Sequence, residues 1–176
     1  MPIYLMDALD AINNFFISGG PVLYLIAVLT FVMWVLILER FLYFFVGYRV
    51  DAKNVIATWE ARDERTSWAA HAIREKLISE THIKIDQHLP IIKTMIAICP
   101  LFGLLGTVTG MIDVFTILSI TGGGDAKSMA GGVSRATVPT MAGMVAALSG
   151  VFANIYITQK ASRESSLIEE HLTMDH

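Results

Sequence analysis

Three runs without a charged residue, 21–38, 94–112 (continuing past Asp113 to 120) and 136–159, constrain this chain more than any other feature. Each is close to the roughly 20 residues a helix needs to cross the hydrocarbon of a bilayer. The chain is 54% hydrophobic and only 16% charged, and its apolar residues come in blocks rather than on one face of a soluble helix. That pattern predicts an all-α integral membrane protein with three transmembrane helices.

Basic residues near span ends stay preferentially on the cytoplasmic side. Eleven of the thirteen Lys and Arg fall between the first two runs or after the third, leaving only Lys127 and Arg135 elsewhere. The N-terminus is therefore expected outside (periplasmic) and the C-terminus inside. The implied order is an outer-surface amphipathic helix (1–20), a first span (21–46), a cytoplasmic helical region (47–92), a second span (93–120), an outer turn (121–133), a third span (134–158) and a cytoplasmic helical tail (159–176). Spans two and three are expected to run on inward as long helices.

Within 1–20 no basic segment or cleavage site marks a signal peptide, and Asp7 and Asp10 oppose one. Leu5, Leu9, Ile12 and Phe16 share one helical face, which suits a helix lying in the interface. Between 47 and 89 seven basic residues balance seven acidic ones, so there is no electrostatic footprint for nucleic acid.

The second and third spans are unusual in their small residues. Gly103, Gly106, Gly110 and Asp113 recur at three- and four-residue steps, as do Thr140, Gly143, Ala147, Gly150 and Asn154. Inside lipid, association relies on close backbone approach and interhelical hydrogen bonds, so these seams predict tight packing of the two helices with each other and with neighbouring subunits. The first span has no such seam; its Leu, Ile, Val and Phe with Tyr24 and Tyr43 toward the ends suit a lipid-facing helix with aromatic anchors.

Thr107 and Thr140 have two readings. A membrane threonine commonly returns its hydroxyl to a carbonyl one turn earlier. Two of them on adjacent helices of an apolar bundle can instead line a polar path. Asp113 and Arg135 are the ionisable residues of the outer halves of these spans, and a charge at the bilayer centre costs about 2.5–3.5 kcal/mol on insertion scales. Asp113 stands about 9 Å outward of Thr107 and Arg135 about 7.5 Å outward of Thr140, at about 1.5 Å per helical residue. They can meet as an ion pair, within or between subunits, or each reach outer water. Pro100 and Pro139 free the carbonyls of Ile96 and Arg135; each can mark a kink beside a wet cavity, and Pro139 equally suits an early turn of the third span.

Enzymatic readings fail on their residues. The string Gly122-Gly-Gly-Asp-Ala-Lys-Ser128 lacks the glycine before lysine and the preceding strand of a phosphate loop. His71, His82 and His88 are scattered without nearby cysteine, and the lone Cys99 suits an apolar filler, so neither a metal nor a cofactor is expected.

The string Gly103-Leu-Leu-Gly-Thr107-Val, the downstream Thr140-x-x-Gly143 and Ile37-Leu-Glu-Arg-Phe-Leu-Tyr43 resemble the ExbB/TolQ/MotA proton-channel family, and the short polar region resembles short ExbB subunits of TonB systems. The resemblance implies a pentamer whose second and third helices enclose a pore, a dimer of single-span ExbD-type partners within it, and a TonB-type protein energised by the proton motive force at the bacterial inner membrane, with siderophores among the cargo. It implies that the proton-binding carboxylate sits on the partner. Arg135 stands where members often carry Glu, so no role of that acid carries over. A TolQ-like envelope-maintenance motor and a non-conducting membrane scaffold are the alternatives.

Overall fold

A computed structural model of the chain describes residues 2–62, 67–122 and 126–172. All the regular structure among them is helical. Helix α1 spans Pro2–Leu42, a π-helical turn Tyr43–Gly47 follows, and α2 covers Tyr48–Glu60. Helices α3 (Trp68–Asp86), α4 (Leu89–Thr121) and α5 (Ala126–His171) complete the chain. Three helical stretches are long and apolar enough to cross a membrane, making this a multi-pass membrane protein.

Helix α1 is two helices joined across a kink. Gly20, at φ 66° and ψ −166°, breaks the helical path immediately before Pro21. Glycine occupies that left-handed region without a Cβ penalty, and proline is suited to the first turn of the helix that resumes.

Two expectations are revised by the helix ends. The inward extension of the second span is interrupted, because α3 stops at Asp86 and α4 starts at Leu89, with His88 between them at φ 67°. Pro90 accounts for the break: it has no N–H to donate to the carbonyl four residues back, that of Asp86, and its ring would clash there, so one helix cannot run through. At the other end, α5 already begins at Ala126, so Pro139 lies in its interior rather than in an early turn. Hydropathy locates where a helix turns apolar, whereas the helix itself runs on through polar sequence. The turn between α4 and α5 includes Gly122, at φ 62°, while 123–125 lie outside the described residues.

The chain divides into two compact units. One comprises the described residues of Met1–Trp34 and Thr94–Val151. Its core holds Leu23, Ile26, Met33, Ile96, Cys99, Val114, Ala136 and Ala146. The other comprises the described residues of Val35–Lys93 and Phe152–His176, with Trp59, Ile85, Ile92, Ile157, Ile168 and Leu172 at its centre. In this second unit the Tyr48 hydroxyl donates to the Glu164 carbonyl at 3.0 Å. Arg74 donates to the carbonyls of Leu172 (2.6 Å) and Glu169 (3.1 Å), a cation placed against the carbonyl-rich end of α5.

Candidate functional site

The first unit is organised by the antiparallel seam of α4 and α5. A Cβ added at Gly103 would lie 3.0 Å from Thr140 Cα, and one at Gly110 would lie 2.6 Å from Ala136 Cα. At Gly106 it would run into the Pro139 ring, and at Gly132 into the Val114 side chain. At Gly143 it would come 2.6 Å from the Cys99 carbonyl oxygen, and at Gly150 2.7 Å from Met33 Sδ and 2.8 Å from Ile96 Cγ1. Partner numbers descend on α5 as they rise on α4, so glycines from both helices interlock along the seam. Ala147 is buried in the same unit. Real Cβ atoms essentially never approach backbone as closely as at Gly110 and Gly143, so at those positions the seam has room for glycine alone, and at Gly103 the fit is tight.

The two threonines behave differently. The Thr140 hydroxyl crosses the seam and donates to the Gly103 carbonyl at 2.8 Å. The Thr107 hydroxyl returns to its own helix, donating to the Leu104 carbonyl at 2.6 Å. Thr107 stands beside the exposed face of α4 formed by Leu101, Leu104, Leu105, Val108 and Ile112, while Met141, Met144, Val145 and Leu148 form a matching apolar face on α5. Faces this large and apolar require lipid or protein against them.

Asp113 and Arg135 line one cavity of about 340 Å³, together with Ile17, Gly19, Gly20, Pro21, Val22, Gly106, Thr109 and Gly110. Both are exposed, and among the described residues no ion pair forms between them within one chain. Shared cavity walls, rather than a direct contact, relate the two charges. Among the described residues no group of three His, Cys, Asp or Glu is arranged to hold a metal ion.

A second constellation was not visible to sequence reasoning. Arg40 is only 2% exposed, the most buried charge among the described residues of the second unit. Its Nε and Nη2 each donate to the Glu39 carboxylate at 2.8 Å, and Nη1 donates to the Lys84 carbonyl near the end of α3 at 3.0 Å. Its guanidinium carbon lies 4.9 Å from the Tyr43 ring centroid. Tyr43 donates to Asp51 at 3.0 Å, Asp51 meets Lys84 Nζ at 3.6 Å, and Glu39 also lies 3.3 Å from His88 Nδ1. A buried guanidinium with its donors satisfied this way fixes the elements around it. The π-helical turn beside it carries Tyr43 and Phe44, and π-helical turns frequently mark functional segments. The adjacent Glu39-Arg40 pair was the available signal, but position alone assigns it only to topology.

Comparison with known proteins places these features in context. The model of the MotA/TolQ/ExbB proton channel family matches residues 47–170. A putative biopolymer transport protein ExbB-like 1 from Synechocystis sp. is 48% identical over 61 residues, covering 33% of this chain and 24% of the relative. The biopolymer transport protein ExbB of Xanthomonas campestris pv. campestris is 29% identical over 112 residues, covering 64% and 43%. A putative biopolymer transport protein ExbB homolog from Methanothermobacter thermautotrophicus is 28% identical over 200 residues, covering 92% and 70%. The first two matches thus span less than half of the relatives' length.

Proposed function

The chain belongs to the MotA/TolQ/ExbB proton channel family, and from that premise we propose that it is the ring-forming subunit of a proton-driven motor. In this reading the ring is a pentamer in the bacterial inner membrane, with the N-terminus periplasmic and the C-terminus cytoplasmic. It surrounds a dimer of single-span ExbD-type partners and energises a TonB-type protein for transport across the outer membrane. The ExbB names of the relatives favour TonB energising over a Tol-type role.

The observation that carries the reading is the glycine-locked α4–α5 pair within the family-matched segment, whose outward faces stay apolar and uncovered. A pair this tightly packed acts as one rigid stave, and its bare faces suit neighbouring staves, lipid or an enclosed partner. Neither 94–112 nor 136–159 contains a carboxylate, so the proton carrier is supplied by the partner. Thr107, on the exposed side, is assigned to the lining of the path. Thr140 spends its proton on Gly103 and is left to accept a hydrogen bond from water or partner.

Native mass of the detergent-purified chain, alone and co-expressed with a single-span ExbD-type partner, tests the assembly. A pentameric ring that gains partner chains is the expected result. A monomer or dimer indifferent to the partner would overturn the motor and leave a membrane scaffold.

A further inference from the structure

In the second unit, the inner part of α5 carries a line of polar side chains at helical spacing: Asn154, Thr158, Ser162, Ser165 or Ser166, and Glu169. Steps of three and four residues put them on one face. The Asn154 side-chain oxygen and the Thr158 hydroxyl are buried and find no hydrogen-bond partner in the protein. Buried oxygens of this kind are ordinarily satisfied by water.

From Thr158 to Glu169 this line forms one wall of a pocket of about 300 Å³, and His82 and Asp86 of α3 form the other. Ser165 Oγ lies 2.7 Å from His82 Nε2 and 3.2 Å from Nδ1. Glu169 Oε1 lies 3.8 Å from His82 Nε2. The imidazole is partly open to solvent. The pocket therefore joins a polar helix face to a group that accepts a proton at one nitrogen and releases it from the other. Its titratable neighbours, Asp86 on its own helix and Glu169 on the facing one, are both acids that balance an imidazolium.

We propose that His82, with Ser165, Asp86 and Glu169 around it, is a proton-release station fed by the polar line of α5. A proton carried by water along that line binds whichever imidazole nitrogen is unprotonated, both lying within 3.2 Å of Ser165 Oγ. The imidazolium is held by Glu169 and Asp86, and the proton on the opposite nitrogen leaves to bulk water, returning a neutral ring. The station deepens the proton-conducting reading and rests on it.

The test uses the full chain reconstituted with an ExbD-type partner in phosphatidylethanolamine–phosphatidylglycerol vesicles, with a potassium diffusion potential and a trapped pH dye. His82→Gln keeps hydrogen-bonding capacity but cannot carry a proton, and is expected to lower flux about tenfold at unchanged native mass. His82→Ala is expected to regain flux when imidazole is added. His71→Gln, an exposed histidine of the same helix that does not line the pocket, is expected to keep wild-type flux. Wild-type flux in His82→Gln overturns the station and leaves the motor reading standing. So does a loss in His82→Ala that imidazole does not relieve, or a loss in His71→Gln equal to that of His82→Gln. A wild-type complex that passes no protons overturns both.

Discussion

Thr140 reaches across to the backbone of Gly103, its hydroxyl 2.8 Å from that carbonyl oxygen, at one of the glycines along which the two helices pack. The bond is possible because Gly103 has no side chain to hold α5 away. A threonine that looks like pore lining in one helix is thus also the strut that sets its distance from the next. In the proposed reading, packing and conduction are tied to the same residue.

Thr140→Val keeps the shape and removes the donor, leaving the Gly103 carbonyl without its second partner. The expected loss is about 1 kcal/mol, the scale of an interhelical hydrogen bond in a membrane. Thermal unfolding in detergent should show a lowered Tm, and Thr140→Ser should restore it.

Thr107→Val removes only a bond within α4, so Tm should stay within error of the wild type. If Thr107 lines the path, proton flux through the partnered complex should fall with the ring intact. Full flux in this variant would remove Thr107 from the lining.

Gly106→Ala places a methyl group against the Pro139 ring, and overpacking of that kind costs about 1–3 kcal/mol. Gly131→Ala is the matched control, because nothing lies within 4 Å of its added Cβ. Helix propensity then favours alanine by roughly 0.5–1 kcal/mol. Side by side, the two Tm shifts should have opposite signs.

Arg40→Met keeps much of the side-chain volume but loses the guanidinium, so the Lys84 carbonyl loses that donor and Glu39 keeps only its contact with His88. Loss of charge-assisted bonds at a buried site should cost about 1.5–3 kcal/mol. Arg40→Lys should recover only part of it, since an ammonium cannot reproduce the two-pronged contact with Glu39. Denaturation followed by Trp59 fluorescence in a background with Trp34→Phe and Trp68→Phe, reporting from the centre of the same unit, reads the difference.

Asp113→Asn and Arg135→Gln should act additively on flux and on stability, because the two charges share a cavity without pairing within the chain. A double mutant that recovers what each single loses would instead establish a pair formed between subunits.

What the sequence disclosed follows from the range of each interaction. The spans are legible because hydropathy accumulates locally, and the α4–α5 seam because glycines three and four apart must share a helix face. The start of α5 is not legible, since the helix continues outward through polar residues before Pro139. The break at His88 is a left-handed non-glycine residue, for which only Pro90 nearby gives a sign. The Arg40 and His82 constellations join residues 40, 84 and 88, and 82, 165 and 169, which only the folded chain brings together. Composition counts such charges without pairing them.

Voltage-driven proton uptake by vesicles holding the purified chain, with and without the ExbD-type partner, tests the central claim most directly. Uptake should require both chains and vanish when the partner's membrane carboxylate is replaced by its amide. Equal uptake without the partner, or none with it, would contradict the account.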